Sequence, residues 1–308
     1  MKLVIQIPAW NEEEHLAEAV AALPREVTGF DRVEILVVDD GSDDRTATVA
    51  REAGARVVRL PVHRGLAVAF AAGIDAALER GADVIVNTDA DGQYDARDIP
   101  TLTAPILTGD AQMVIGDRQV HTIRHFSATK KLLQKLGSWV VRKISRTDVV
   151  DATSGFRAIS REAALKLHVF TRFTYTLETI LQAGEAGLKV VSVPVRTRAE
   201  ETRPSRLFRS NTGYVLRSLE SIARIVVLYN PLRIFLRIGA LPVIVGLVLL
   251  GRFLYYYLTG QGPAGHVQSL ILAVILITVG VQVWVVGVVA DLIAVNRRLL
   301  EEAVERQR

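Results

Sequence analysis

An α/β domain with a mainly parallel sheet, followed by amphipathic interface helices and a two-helix transmembrane hairpin, is the architecture this chain predicts. Three observations predict it. Short apolar runs of strand type alternate with helical spacings through roughly the first 200 residues, several of those runs stop at acidic residues, and two long apolar stretches occupy the last quarter.

Lys2 to Ile7 is apolar enough for a buried strand. Pro8-Ala9-Trp10-Asn11-Glu12 breaks it, and Glu12 to Leu23 places Leu16, Val20 and Leu23 at helical spacing. Arg32 to Val38 is a second apolar strand, ending in Asp39-Asp40-Gly41-Ser42-Asp43-Asp44, whose Gly and Ser suit a turn and whose last acids suit a helix start. Arg56 to Leu60 reads as a short strand, Gly65 to Arg80 as a helix with Ala and Phe on its buried side, and Ala82 to Thr88 as the strand that runs into Asp89-Ala90-Asp91. Further on, Phe126 to Ile144 reads as a helix with a basic face, Thr174 to Gly187 as another, and Lys189 to Val195 as a closing strand.

Open parallel sheets bind ligands outside the carboxyl ends of their strands. The strands read here end in Asn11-Glu12, Asp39-Asp40 and Asp89-Asp91, so three acidic ends converge on one rim. Two carboxylates one residue apart at a strand end are fixed and close, as a hard divalent cation with oxygen ligands requires. Taken singly, Asp39 to Asp44 would serve as a helix cap and Glu12 as a surface residue; their shared placement favours a site.

The segments IPAWNEE, VVDDGSDDRT, HRGLAVAFAAGIDAA and NTDADGQYD together resemble the signature segments of the inverting glycosyltransferase family 2, which has the GT-A fold, a Rossmann-like, mainly parallel sheet. The later segment DATSGFRAISREAA, Asp151 to Ala164, and the apolar tail are similar to the polyprenyl-phosphate glycosyltransferases of the dolichyl-phosphate mannose synthase type. The resemblance implies transfer of a hexose, with inversion, from a nucleotide sugar of the UDP-glucose or GDP-mannose class to a membrane polyprenyl phosphate. It implies that Pro8, Asn11, Glu12, Asp39, Asp40, Asp89 and Ala90 bind the nucleotide, and that Asp89, Asp91 and Gln93 surround a Mg2+ or Mn2+ ion on the diphosphate. Such an ion neutralises the charge that develops on the leaving diphosphate. Asp91, Arg118, Glu178 and Arg203 are the implied catalytic residues, Arg118 and Arg203 meeting donor or lipid phosphate. Lys131, Ser154, Gly155 and Arg157 are implied for the acceptor, and Arg157 is equally suited to pair with a carboxylate inside the fold. Glu178 has two readings, a general base or a positioning group, because a phosphate monoester acceptor with a second ionisation near pH 6 is already largely a nucleophile at neutral pH. Two positions depart from the family pattern: His63, where Asn is common, and Leu66, where Lys is frequent. They leave the phosphate contacts there open, and His63 reads as a solvated loop residue or as a ligand contact. Two other activities stay open, transfer to a hydroxyl-bearing lipid or polysaccharide and a non-catalytic membrane scaffold.

Ile238 to Leu258 is almost wholly apolar and Val267 to Ala290 has no charged residue, and roughly 20 apolar residues suffice to span the hydrocarbon core. The uncharged stretch Thr259 to His266, with Gly and Pro, joins them as a turn, so 234–295 reads as a hairpin with spans near 236–258 and 267–290. Arg252 lies inside the first span beside Phe253, Tyr255, Tyr256 and Tyr257, an aromatic belt from which it can snorkel. Arg233 and Arg237 before the first span and Arg297 and Arg298 after the second place both termini and the catalytic domain in the cytoplasm. The first residues enter a strand with no signal-like segment, so the catalytic domain is not expected to be exported.

The formal charge of +4 conceals an asymmetry, because residues 196–237 carry nine arginines against Glu200, Glu201 and Glu220, a surplus of +6 that leaves −2 elsewhere. With Leu207, Phe208, Val215, Leu219, Ile222 and Ile225 between the cations, residues 201–233 read as helices lying in an anionic headgroup layer, and a nucleic-acid partner is not expected. The absence of cysteine excludes disulfides and thiol catalysis. A catalytic domain over 1–200, the interface helices, the hairpin and a mixed-charge tail over 296–308 complete the organisation; hairpins of this kind favour a homo-oligomer.

Overall fold

The computed structural model describes residues 1–119, 128–167, 169, 175–197, 227, 231–259 and 267–305. The chain forms two compact units, Met1–Ile222 and Ala223–Gln307.

The first unit is built on seven strands, β1 (Lys2–Ala9), β2 (Arg32–Asp39), β3 (Arg56–Arg59), β4 (Val84–Asn87), β5 (Met113–Asp117), β6 (Arg157–Ser160) and β7 (Val190–Pro194), in the spatial order β3-β2-β1-β4-β6-β5-β7. Every pair is parallel except those of β6, which runs against both β4 and β5. The expected mainly parallel sheet is therefore present, with one reversed strand that the sequence pattern did not announce. Inner strands covered on both faces can be continuously apolar. Accordingly β1 is buried from Leu3 to Ala9: Leu3, Ile5 and Ile7 join one core with Val84, Val86 and Val114, while Val4 and Gln6 point to the opposite face.

The helices of this unit are α1 (Leu16–Ala22), α2 (Thr46–Glu52), α3 (Leu66–Glu79), α4 (Ile99–Leu107), α5 (Ala128–Ser145), α6 (Arg161–Lys166) and α7 (Tyr175–Glu185). The first helix starts at Leu16 rather than at the expected Glu12. The backbone N–H groups of Asn11 and Glu12 are taken by Ser42 Oγ (2.9 Å) and Thr46 Oγ1 (2.8 Å), which tie this turn to the end of β2 before the helix can begin. Asn11 accordingly has φ 52°, a left-handed conformation that Asn tolerates better than most residues. α3 lies against β1 at Gly73, where a Cβ would stand 2.4 Å from Gln6 Oε1.

The second unit contains α8 (Pro231–Leu258) and α9 (Val267–Glu305). Both are long and apolar enough to cross a membrane, and only 11% and 17% of their most apolar windows are buried, unlike core helices of a soluble protein. The expected tail over 296–308 is not a separate helix as far as Glu305; α9 continues through it. The two helices meet at small residues. A Cβ on Gly280 would lie 2.7 Å from the Gly239 carbonyl oxygen, one on Gly246 2.9 Å from that of Ala273, and one on Gly287 2.5 Å from Phe235 Cβ. Gly239 and Gly246, like Ala273, Gly280 and Gly287, recur every seven residues, the repeat that keeps one seam facing a partner helix, and their small size lets the backbones approach. Trp284 Nε1 donates across the seam to the Leu236 carbonyl (3.0 Å). The expected interface helices over 201–233 lie largely outside the described residues.

Candidate active site

Parallel pairing brings the ends of β1, β2 and β4 to one rim, with Ala9 opposite Asp39 and Gln6 opposite Asn87. At the β1–β2 end the acids are committed to shaping the rim. Asp39 is fully buried; its Oδ1 accepts from Ser42 N (3.0 Å) and its Oδ2 lies 3.2 Å from Arg59 Nε. Asp40 is also buried, its Oδ1 accepting from Arg64 N (2.8 Å) and its Oδ2 from Gly65 N (2.7 Å), which fixes the loop leading into α3. Gly41 follows them with φ 66°, and a Cβ there would lie 2.4 Å from the Val62 carbonyl carbon, so glycine is required. His63 is neither freely solvated nor loose: its Nδ1 is 2.8 Å from Asp40 Oδ2 and its ring stacks on the half-exposed Trp10 at 4.0 Å. Asp40 thus contributes the position of this loop more than a free carboxylate.

Beyond β4 lie Asp89, Ala90 and Asp91. Burial, with the Asp91 charge beside it, pushes the Asp89 carboxyl up to about 7, against the pull of Arg118 and Arg157. Asp91 Oδ1 accepts from Gln93 N (3.0 Å) and so turns the chain directly after the pair. The backbone of Gly155 is pressed against Asp89, since a Cβ there would be 3.0 and 3.2 Å from the two Asp89 carboxylate oxygens and 3.2 Å from the Tyr175 hydroxyl. Gly155 is itself held from two sides. Its carbonyl accepts from Asn87 Nδ2 (2.8 Å), whose Oδ1 accepts from Gln6 Nε2 (2.9 Å), and its N–H donates to the Tyr94 hydroxyl (3.1 Å). A polar row therefore crosses β1, β4 and the turn before β6 and ends at Asp89.

The strand that follows carries Arg157, fully buried, which donates to the carbonyls of Thr176 (3.1 Å) and Ser154 and to Thr179 Oγ1 (2.7 Å). It joins β6 to α7; neither expected role, acceptor contact nor carboxylate pair, describes these hydrogen bonds. Burial pushes its guanidinium down from its ordinary value. Arg118 forks onto Asp151, with Nε to Oδ2 at 2.7 Å and Nη2 to Oδ1 at 3.0 Å, and also donates to Thr153 Oγ1 (2.7 Å). Burial opposes ionisation of Asp151, but the Arg118 charge and hydrogen bonds outweigh it and hold the carboxyl below its usual range. Arg118 is thereby aimed and stiffened beside Asp89.

Of the expected residues, Pro8, Asn11, Glu12, Asp39 and Asp40 gather at the first two strand ends, and Asp89, Arg118, Ser154, Gly155 and Arg157 gather around the third. Glu178 is buried on α7, three residues beyond Tyr175 and therefore on the same helix face. Arg203 and the Lys131 side chain lie outside the described residues. Sequence reading missed Gln6, Asn87, Asp151 and Tyr94. A polar residue inside an apolar strand was the available signal for the first two. Tyr94 stood in plain view within NTDADGQYD, but its partners are distant in sequence: its ring stacks on Phe156 at 5.0 Å and its backbone bridges Thr197. Replacing Tyr94 by Phe keeps the ring and leaves the buried Gly155 N–H unpaired. Divalent-cation affinity is expected to fall about tenfold, as for loss of an outer-shell support, read by Mn2+ titration of the protein; unchanged affinity would refute the support.

The donor set suits a hard divalent cation on its chemistry: two neighbouring carboxylates, both half-buried, one of them carrying unfavourable charge that a cation would offset. Among the described residues no group of three or more His, Cys, Asp or Glu is arranged around one point, so a cation at Asp89 and Asp91 would need further ligands of another kind.

Comparison with known proteins agrees with this geometry. Residues 4–167 match the family described as glycosyl transferase family 2. The polyprenol monophosphomannose synthase of Mycolicibacterium smegmatis is 30% identical over 222 residues, which cover 68% of this chain and 82% of that protein. The undecaprenyl-phosphate mannosyltransferase of Micrococcus luteus is 28% identical over 218 residues, covering 67% of this chain and 88% of that one. Among solved structures, glucosyl-3-phosphoglycerate synthase from Mycobacterium tuberculosis in complex with Mn2+, uridine-diphosphate-glucose and phosphoglyceric acid is similar with a TM-score of 0.55 and 25% identity, covering 72% of this chain and 79% of that one. The mostly parallel mixed sheet is thus the GT-A-like sheet of glycosyltransferase structures.

Proposed function

The chain belongs to glycosyl transferase family 2 and is a glycosyltransferase, and from that premise we propose that it moves a hexose from a nucleoside diphosphate sugar to the phosphate of a membrane polyprenyl phosphate, with inversion. The observation that carries the proposal is the Asp89–Asp91 pair at the end of β4, pinned by Gly155 beside Arg118, in a chain whose relatives are a polyprenol monophosphomannose synthase and an undecaprenyl-phosphate mannosyltransferase. Those names favour mannose, while the structural neighbour holds uridine-diphosphate-glucose, so donors of both classes belong in the test.

In this reading the rim formed by Pro8, Asn11, Glu12, Asp39 and Asp40 holds the nucleoside, and Ala90 lies under the diphosphate. Asp89 and Asp91, with Gln93 next to them, would hold Mg2+ or Mn2+, which supplies charge neutralisation for the diphosphate when bound. Arg118, whose Nε and Nη2 are held by Asp151 and Thr153, offers its charge and its Nη1 to phosphate oxygen, and Arg203 and Lys131 add positive charge for the acceptor. A phosphate oxygen of the lipid forms the new bond to the anomeric carbon as the bond to the diphosphate breaks, and the electron pair leaves with the nucleoside diphosphate. At neutral pH that oxygen is already ionised, so Glu178 positions groups and abstracts no proton. α8 and α9 anchor the chain in the bilayer with the catalytic unit and both termini on the cytoplasmic side, following the basic flanks Arg233, Arg237, Arg297 and Arg298.

The test is a transfer assay with purified protein, a panel of radiolabelled UDP- and GDP-sugars, polyprenyl phosphate in detergent, and Mn2+ or Mg2+ against chelator. Chelator-sensitive labelling of the lipid phosphate by one donor is expected. Labelling of a hydroxyl lipid with none of the lipid phosphate would overturn the acceptor.

A further inference from the structure

Gln6 is a polar residue set inside the apolar stretch of β1. Val4, Ile5 and Ile7 beside it are fully buried, as it is, and an apolar side chain there would complete the strand with no polar group to satisfy. The helix above makes room for the amide: a Cβ on Gly73 of α3 would stand 2.4 Å from Gln6 Oε1 and 2.9 Å from Val38 Cγ2. Among the described residues Gln6 Oε1 has no hydrogen-bond donor. Half of a buried amide is thus left unpaired at a cost in stability, which directs attention to the other half.

Gln6 Nε2 donates to Asn87 Oδ1 (2.9 Å) and to the Phe70 carbonyl (3.4 Å), and each contact opens a path to Asp89. The first path runs through Asn87. An asparagine can present either end of its amide, and a donor held at Oδ1 leaves Nδ2 to face the Gly155 carbonyl (2.8 Å). The second path runs through α3. The buried Phe70 ring stacks on Tyr175 at 4.3 Å, and a Cβ on Gly155 would meet the Tyr175 hydroxyl at 3.2 Å and the nearer Asp89 oxygen at 3.0 Å. One N–H group therefore stands at the root of two chains of contact, one through β4 and one through α7, that close on the same carboxylate.

We propose that Gln6 is a positioning residue for the Asp89 and Asp91 pair: its side-chain N–H sets the orientation of the Asn87 amide and the seat of α3 on the sheet, and so fixes where Gly155 and Tyr175 confine the Asp89 carboxylate. It acts through these neighbours and touches neither substrate nor cation. The proposal rests on the metal reading of Asp89 and Asp91 given above. The role belongs to the side chain alone, because the strand's own hydrogen bonds, including that from Thr88 N to the Gln6 carbonyl (3.1 Å), persist whatever side chain stands at position 6.

Gln6→Met keeps the length of the side chain and removes the amide. The full-length protein is titrated with Mn2+ by electron paramagnetic resonance, which counts free ion without any turnover, and kcat and KM for the donor are measured at saturating Mn2+. Gln6→Met is expected to weaken Mn2+ binding about tenfold, the scale of losing a support outside the ligands, and to lower kcat by a similar factor with KM within about twofold of the parent. Thr103→Val serves as the comparison for general damage. Thr103 is equally buried, on α4, and its hydroxyl donates only to carbonyls of its own helix, so its loss should lower the melting temperature and leave the Mn2+ constant at the parental value. Should Gln6→Met fail to fold, Gly73→Ala presses on Gln6 Oε1 from α3 without removing any polar group, and should weaken Mn2+ binding in the same direction. A parental Mn2+ constant in folded Gln6→Met, or in Gly73→Ala where that is the variant recovered, would overturn the positioning role. Asp91→Asn tells this apart from failure of the reading beneath it. Mn2+ binding lost in Asp91→Asn but kept in Gln6→Met overturns the proposal alone, whereas parental binding in Asp91→Asn overturns the metal site and the proposal with it.

Discussion

Replacement of Asp91 by Asn is expected to lower transfer from nucleotide sugar to polyprenyl phosphate by about a hundredfold to a thousandfold, the scale of losing one preorganised group at a developing charge. The change is nearly isosteric, so packing at the end of β4 is kept and the Oδ1 that accepts from Gln93 N remains an oxygen. What is removed is one of two neighbouring negative charges. Asp89 is half-buried, and its carboxyl is lifted to about 7 by desolvation first and by Asp91 second. Without Asp91 the repulsion is relieved and Asp89 loses its partner for a divalent cation. The rim at β1 and β2, proposed for the nucleoside, is untouched, because its hydrogen bonds run through Ser42, Thr46, Arg64 and Gly65. Binding of the free nucleoside should therefore change little while turnover collapses and the Mn2+ requirement rises. Turnover within a few-fold of the parent at matched protein and metal levels would remove Asp91 from the chemistry.

The acidic strand ends were legible because the information is local. A buried parallel strand needs a continuous apolar run, and the residue type that interrupts the run is visible directly beside it, as at Asp39, Asp40, Asp89 and Asp91. The apolar helices were legible for a similar reason, composition over a length fixed by the bilayer. β6 was not, because Arg157–Ser160 contains an arginine and a serine in four residues and only its pairing with β4 and β5 makes it a strand. That arginine reads as an acceptor contact or as the partner of a carboxylate inside the fold, yet it is fully buried and its N–H groups go to three acceptors on the turn before β6 and on α7. Asp40 shows the same limit. Its position on the rim could be read, but not that both oxygens are occupied by backbone amides 24 and 25 residues away. Tertiary partners decide whether a polar residue offers itself to a ligand or holds the frame that does.

Gly155 is where that frame touches the chemistry, and Gly155→Ala is the sharpest test of it. The added methyl would stand 3.0 Å and 3.2 Å from the Asp89 carboxylate oxygens and 3.2 Å from the Tyr175 hydroxyl. Contacts at that range oblige the neighbours to give by a few tenths of an ångström, and the backbone cannot supply the movement. The Gly155 carbonyl is held by Asn87 and its N–H by Tyr94, both with side chains buried between strands. The displacement therefore falls on Asp89. Overpacking of this kind costs about 1–3 kcal/mol of stability, which a thermal melt reads. Catalysis is more exacting, since a misplacement approaching 1 Å can cost about a hundredfold in rate. The expected result is a modest loss of melting temperature together with a drop in turnover of about tenfold or more and a raised Mn2+ requirement. Both follow from one displaced carboxylate. A variant with parental turnover and metal dependence would mean that Asp89 tolerates the shift, and that its close contact with Gly155 is packing without consequence for the reaction.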